Sequence, residues 1–524
     1  MSTAQRADER TVDEREAGPG EEPVRAWAPE VPLRRALAVS LAVAVAAFAA
    51  FLWRLLPGVG FWDTAIFQAA PPVLGLTHPT GYPTYLILGW AWVHLLWFLA
   101  PATALNVMTA VAGALAVGMV AALAMRIGAG VFPAAAGALT VGLMTSFWQT
   151  SGRADPHPLH VLLALAILAL LLAWDRRPEP RLLAAAALVF GVAMGNHALT
   201  AMLAPGIGVF VVTRRPAVLR QPRTITLAAA ALASGLLVYV YVVVRGAANP
   251  AIHYDYAPDT WSSFWRYVLG QDFSGSMGFF SPSGPGAALR ELPVFLGRMG
   301  DALTPPVAVG LGWLALVGIL ALVGRRSWRT AWLLLATGGV TLYARLTYSN
   351  GDIERYALFP LAVLGILAGL GAQVVLDRLA HALPALRRGV PGLRPGVAAL
   401  APAVLLLVPL ALVPVNLDHV RPVSARCYVD AVERAVPQGA YLVSWWSMST
   451  PVWYAQAVEG ARPDITVLNV GSAAMDAIRA HRGDGRPIWV VLLSGDLQRV
   501  QDAGFTLDRT SLCGVDAWVV TGGG

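Results

Sequence analysis

Apolar runs long enough to cross a lipid bilayer follow one another along most of this chain, and they decide its fold class before any motif is read. Crossing hydrocarbon takes about 20 apolar residues in a helix. Such runs occur near residues 35–55, 105–125, 131–149, 158–174, 182–197, 199–213, 224–244, 303–324, 328–346, 356–374 and 397–415. Charged residues are only 13% of the 524 residues, against about 25% in a soluble globular domain. A soluble enzyme, a nucleic-acid binder and a disordered scaffold are therefore excluded. The chain reads as a polytopic α-helical membrane protein.

The formal charge of +7 comes from arginine alone, since the sequence holds no lysine. The arginines cluster in short gaps between the apolar runs, as cytoplasmic loops require. One further apolar run, 82–100, decides the topology. If it crossed the membrane, Arg126 and the group Arg214, Arg215, Arg220 and Arg223 would face away from Arg34 and Arg35. If it lies on the outer surface as a juxtamembrane helix, all of these, with Arg176, Arg177, Arg181, Arg325, Arg326, Arg329, Arg387 and Arg388, face the cytoplasm. Its sequence, GYPTYLILGWAWVHLLWF, carries the Trp and Tyr enriched at membrane–water interfaces. Eleven spans with a cytoplasmic N-terminus follow, in a multi-pass protein of a bacterial plasma membrane.

Residues 1–34 are acidic and broken by Gly and Pro, a disordered tail by composition. The spans and their loops occupy 35–415, with loops 56–104, 150–157 and 246–302 outside. From 416 to 524 the composition changes. Strand-like runs (AYLVSWW, ITVLNV, PIWVVLL, DAWVVTG) alternate with helical stretches (YVDAVERAV, AAMDAIRAH, GDLQRVQDA), which predicts a small extracytoplasmic α/β domain. The two cysteines, Cys427 and Cys513, both fall there. A disulfide and two free thiols are equally consistent with their placement.

A transporter places ionisable groups near the bilayer midplane. Here the spans are nearly free of acids, and the polar residues gather at external ends: Asp63, His78, Arg153, Asp155, His157, His160, Asn196, His197, Asp352, Glu354 and Arg355. Each alone is as well explained by a loop facing water; their convergence on one face points to chemistry at that interface. Asp63 stands between aromatic residues and span ends, where a carboxyl has a raised pKa suited to general-base work. His157 and His160, three apart beside Asp155, are one ligand pair where a metal site needs three or four. No metal and no cofactor is expected.

The segments WDTAIFQAA, LTHPTGYPTYLILG, SFWQTSGRADPHPLHVLLALA, GVAMGNHALTAMLAPG, NPAIHYDYAPDTWSSFWRYVLGQDF, NGDIERYALFPLAVLGILAG and TPVWYAQAVEGARPDITVLN follow in this order from the first external loop into the C-terminal domain. Together they resemble a large family of membrane proteins grouped with protein O-mannosyltransferases of the GT-C class. The resemblance implies a bundle of spans, a surface helix after the first external loop, and an extracytoplasmic active site. Such enzymes move a sugar (mannose or another hexose) from a polyprenyl-phosphate carrier to a protein or glycan acceptor, plausibly Ser/Thr, with inversion. It makes Asp63 the base and Asp155 a second catalytic acid. Glu354, Arg355 and Tyr356 match the segment that meets the carrier phosphate, and His78, Arg153, Asn196 and His197 are further substrate-binding candidates. Glu354 could orient Arg355 or pair with Arg345. Two positions depart from the family pattern: Ile66 stands where an acid is common, and Ser444–Thr450 (SWWSMST) replaces a stretch rich in Asp and Asn. A transporter of lipid-linked glycan and a non-catalytic scaffold are the alternatives, and the partners expected are lipids rather than nucleic acid.

Overall fold

The computed structural model describes residues 31–382 and 401–523, apart from 255, 471 and 472. The acidic tail up to residue 30, Arg387 and Arg388 lie outside the described residues. Every apolar run within them is helical. The first half holds α1 (Leu33–Trp53), α2 (Trp62–Ala69), α3 (Pro83–Leu95), α4 (Pro101–Arg126), α5 (Val131–Gly142), α6 (Thr145–Ser151), α7 (His157–Arg176) and α8 (Pro180–Asn196). Then come α9 (Ala204–Arg214), α10 (Pro222–Leu236), α11 (Val240–Ala248), α12 (Trp261–Val268), α13 (Gly284–Leu303), α14 (Pro305–Gly324), α15 (Trp328–Thr347) and α16 (Leu358–Ala382). Pro83, Pro101, Pro180, Pro222 and Pro305 each open a helix, where the missing N–H costs nothing and the fixed φ already suits the turn.

Among the described residues, six helices are long and apolar enough to cross a membrane: Leu33–Trp53, Pro101–Arg126, Pro156–Arg176, Pro222–Ala248, Pro305–Gly324 and Ile353–Ala380. Pro180–Asn196, Ala198–Arg214 and Pro402–Leu417 are shorter apolar helices. The run 131–149, read above as one span, is two helices bent by 73°. The reason is local. Asn416 bridges the break between α5 and α6: its Nδ2 donates to the freed Leu143 carbonyl at 2.9 Å and its Oδ1 accepts from the Thr145 side-chain hydroxyl at 2.7 Å. A helix break at membrane depth persists only where such partners exist. The helix α3 has 13 residues, too few for the roughly 20 that a span needs.

Helices in lipid associate through close packing rather than water exclusion. At the crossing of α8 and α10, a Cβ on Gly191 would lie 2.6 Å from the Leu232 carbonyl oxygen, and one on Gly235 2.4 Å from that of Leu188. Any side chain at either position would push the two backbones apart.

The C-terminal region folds around a five-stranded sheet of order β2-β1-β3-β5-β4. Strands β1 (Tyr441–Ser444), β2 (Thr466–Asn469) and β3 (Ile488–Val491) are parallel, whereas β4 (Phe505–Leu512) and β5 (Val515–Gly523) form an antiparallel hairpin joined to β3 through β5. The run AYLVSWW was read as strand throughout. The strand ends at Ser444 and Trp446 opens the helix Trp446–Val458, because Ser449 Oγ folds back on the Ser444 and Trp445 carbonyls at 3.2 Å. Strand β4 escaped the pattern: FTLDRTSL is mostly polar, as suits an edge strand open to water. Cys427 and Cys513 form a disulfide with Cα atoms 5.8 Å apart.

This domain does not hang on a linker. Val59, Phe67, Tyr85, Leu105 and Ala154 share one buried apolar cluster with Tyr428, Val429, Val452 and Ala455. Ala425 N donates to the Val59 carbonyl at 2.9 Å, and Ala102 N donates to Tyr454 Oη at 3.3 Å.

Candidate active site

Asp63 stands in the first turn of α2 and Asp155 in the loop before α7, and one side chain ties the two segments together. Asn106, fully buried on α4, accepts from Gln68 Nε2 and from the Ala154 backbone N–H, both at 2.8 Å, while its Nδ2 donates to the Leu56 carbonyl at 2.8 Å. Gln68 in turn accepts from Gly60 N at 2.9 Å. The loop leading to Asp63 and the residue before Asp155 are thus pinned to the same amide. Asp155 N also donates to Thr109 Oγ1 at 3.2 Å.

Arg355 bridges the acids. Its Nη2 donates to Asp63 Oδ2 at 2.5 Å and its Nη1 to Asp155 Oδ2 at 3.3 Å. The Arg355 and Asp155 side chains are 5% and 1% exposed, so neither charge would be tolerated alone. Asp155 Oδ1 accepts from the His157 backbone N–H and meets His157 Nδ1, each at 2.8 Å. Asp63 Oδ1 accepts from Trp446 Nε1 at 2.8 Å, and His78 Nε2 lies 3.5 Å from Asp63 Oδ2.

The raised pKa expected for Asp63 is corrected by this geometry. Burial does push it up, but the Arg355 charge, the charge at His78 and the hydrogen bonds from Arg355 and Trp446 more than offset that, leaving Asp63 at about 2. At Asp155 burial is likewise outweighed, by His157 first and then Arg355 and Arg153, and its carboxyl is held well below the usual range. Burial lowers His78, against the opposing pull of Asp63. Both acids are ionised at neutral pH, and their shared counter-ion is Arg355.

Asp63, His78, His197, Asp352, Arg355 and Tyr356 line a cavity of about 1170 Å³. Its lining includes Met194, Leu199, Met202, Pro205, Tyr239 and Val340, together with Trp445, Trp446, Asn469, Leu493 and Asp496 of the C-terminal domain. His197 Nδ1 accepts from Leu199 N at 3.1 Å, so the proton of the neutral ring sits on Nε2. That Nε2 is buried without a partner among the described residues, a donor for a ligand oxygen. Trp62, which opens α2 beside Asp63, has φ +57°. A bulky residue is rarely left-handed; Thr450 Oγ1 on its carbonyl at 2.9 Å and the Trp445 ring 4.7 Å from its own hold it there.

Of the residues singled out from sequence, Asp63, Asp155, His78, His197, Arg355 and Tyr356 converge. Three stand aside. Arg153 pairs with Asp352 rather than lining the cavity. Asn196 donates to the Pro156 carbonyl at 3.0 Å and ties the end of α8 to the start of α7. Glu354 takes Arg345 at 2.7 Å and Arg298, so of the two readings given above it is the pairing with Arg345 that the structure contains. Trp446, Trp445 and Trp62 were missed as site residues. The signal for Trp445 and Trp446 lies in the stretch Ser444–Thr450, where the sequence departs from the family pattern, and Trp62 adjoins Asp63. Replacing Arg355 by Gln leaves two buried carboxylates without their cation. The expected loss of stability is about 3–5 kcal/mol, read by denaturant unfolding in detergent; an Arg355→Gln protein as stable as its parent would contradict the shared counter-ion.

Residues 63–220 match the family described as protein O-mannosyl-transferase TMEM260 N-terminal domain. No curated protein matches the chain. Among solved structures, ArnT from Cupriavidus metallidurans bound to undecaprenyl phosphate superposes with a TM-score of 0.57 at 13% identity, covering 92% of this chain and 97% of that one. The same protein in its apo state gives 0.58 at 13% identity over 91% and 97%. The chain therefore has the fold of ArnT, and its residues 63–220 are similar to the N-terminal domain of the protein O-mannosyl-transferase TMEM260 family.

Proposed function

We propose that this protein is a membrane glycosyltransferase that takes a sugar, mannose or another hexose, from a polyprenyl-phosphate carrier and passes it with inversion to an extracytoplasmic hydroxyl, on protein Ser/Thr. The observation that carries the reading is the Asp63–Arg355–Asp155 chain, with Asp63 and Arg355 in the wall of a cavity lined largely by apolar and aromatic side chains. An apolar cavity with a guanidinium in its wall suits a lipid tail ending in phosphate. The undecaprenyl phosphate held by ArnT, a protein of the same fold, supports a carrier of that class.

The ion pair supplies the order of events. Asp63 at about 2 is too weak a base for an alcohol, since a general base works best with a pKa near the operating pH. A donor phosphate arriving at Arg355 competes for the same guanidinium. As Arg355 turns to the phosphate, which it can grip through two N–H groups, Asp63 loses its strongest partner and its pKa rises. The acceptor hydroxyl then gives its proton to Asp63 as its oxygen bonds to the anomeric carbon. The bond from that carbon to the phosphate oxygen breaks on the opposite face, and the electron pair leaves with the polyprenyl phosphate. Arg355 stabilises the charge that grows there, Asp155 holds Arg355 throughout, and His197 Nε2 donates to a phosphate or sugar oxygen. No metal is required in this scheme. Asp63→Asn should lose about 10²–10⁴-fold in transfer rate while still binding donor; near-normal transfer by that variant would remove Asp63 as base.

The orientation belongs to the same reading. With the arginine-rich ends Arg126, Arg176, Arg214 and Arg325 in the cytoplasm, the eleven spans of a plasma-membrane protein place the cavity and the sheet domain outside. A disulfide between Cys427 and Cys513 fits an oxidising compartment. In intact cells, a membrane-impermeant maleimide should label these two exposed cysteines only after an impermeant reductant, and should leave a Leu219→Cys variant unlabelled at that position. Labelling at 219 without labelling at 427 and 513 would invert the topology.

A further inference from the structure

We infer that the α/β domain carries the acceptor subsite: an extended, hydroxyl-bearing polypeptide runs along the edge strand β2 into the crevice at the carboxyl ends of β1 and β3, and so delivers its hydroxyl to Asp63. This rests on the transferase reading above and adds where the acceptor is held and by what.

Three observations carry it. The first is topological. In the order β2-β1-β3 the chain leaves β1 towards β2, whereas the connection after β3 leads away towards β4 and β5. Adjacent strands whose connections leave in opposite directions open a crevice at their carboxyl ends, where open α/β sheets bind ligands. Trp445 and Trp446 follow β1, and Leu493 and Asp496 follow β3; all four line the cavity that holds Asp63. The crevice of the sheet and the cavity of the membrane domain are one space.

The second concerns the edge. Strands β1 and β3 are buried along their whole length, but every residue of β2 is half-exposed and β2 ends the sheet. Its last residue, Asn469, lines the same cavity. An extended chain pairing with an open edge gains main-chain hydrogen bonds whatever its sequence, as an acceptor chosen for one hydroxyl requires. The third is an aromatic wall. Trp62, 48% exposed, meets Trp445 edge-on at 4.7 Å, and Tyr254 meets Trp446 at 5.4 Å. Rigid aromatic walls at a partly exposed rim are the surfaces on which such segments anchor. Trp446 also donates to Asp63, so the wall that receives the acceptor touches the base.

The test uses the full-length protein in detergent and a short alanine-rich peptide with one central threonine. A photoreactive version of the peptide should crosslink at Trp445, along β2 or at Leu493 without donor present. Trp445→Ala should raise the KM for the peptide about tenfold or more with the KM for the lipid-linked sugar unchanged. Leu493→Glu, at a 48% exposed rim position where folding is not at stake, should do the same to a smaller degree. Crosslinks confined to the membrane-domain loops, a rise in donor KM instead, or displacement of the probe by a free oligosaccharide but not by unlabelled peptide would each overturn the assignment. A protein that crosslinks as described yet transfers no sugar would sink the transferase reading and leave the subsite standing.

Discussion

A single guanidinium between two carboxylates organises this protein's candidate site. Asp63, Asp155 and Arg355 come from the start of α2, the loop before α7 and the turn before α16, and Asp155 and Arg355 are too deeply buried to keep their charges unpaired. The cost of burying them fixes where the three segments must meet. Asn106 and Gln68 then hold both loops at the right height by backbone hydrogen bonds. The long helices matter to the site mainly as the frame for this contact, and their close glycine crossings keep that frame from spreading.

The sheet domain belongs to the same arrangement. It shares a buried cluster with the loops it covers, and through Trp446 it reaches the carboxylate of Asp63. Four residues on, Thr450 holds the left-handed backbone of Trp62, a conformation that costs of order 1–3 kcal/mol and persists only where its surroundings impose it. The first turn of the helix bearing Asp63 is thus contacted from the C-terminal domain at both Trp62 and Asp63. On the reading proposed here, that contact lets acceptor recognition and base positioning act on the same few atoms.

What the sequence disclosed follows from how each feature is encoded. The spans were legible because lipid demands a long apolar run, and the parallel strands because each is a short buried run between helical stretches. The bend between α5 and α6 was not, since it depends on Asn416, more than 250 residues away in the chain and bonded to both sides of the break. Asp63 and Arg355 could be named from their motifs, but their ion pair could not, and so the sign of the Asp63 shift was misjudged: aromatic neighbours argue for a raised pKa until a cation is found 2.5 Å away. Glu354, adjacent to Arg355 in sequence, points to Arg345 because a turn at the start of α16 sends consecutive side chains apart. Trp446 was hidden for a further reason. An indole near a membrane is commonly an interface anchor, and only the fold shows one turned inward to a carboxylate.

If donor phosphate draws Arg355 away from Asp63, the base must change its affinity for protons on binding, and the pH dependence of turnover should show it. The profile of kcat/KM for the donor reports the free enzyme and that of kcat the loaded one. In the free enzyme Asp63 titrates at about 2 and stays ionised across the usable range, so kcat/KM should show no acid limb from it. In the loaded enzyme the carboxyl is released from its cation and remains buried, which moves it upward by roughly a unit or more. Activity needs the deprotonated form, so kcat should fall as pH drops through that higher value, and the limb should vanish in Asp63→Asn. Acid limbs that coincide in the two profiles would mean that Arg355 stays on Asp63 throughout, and the exchange at the heart of this mechanism would be wrong.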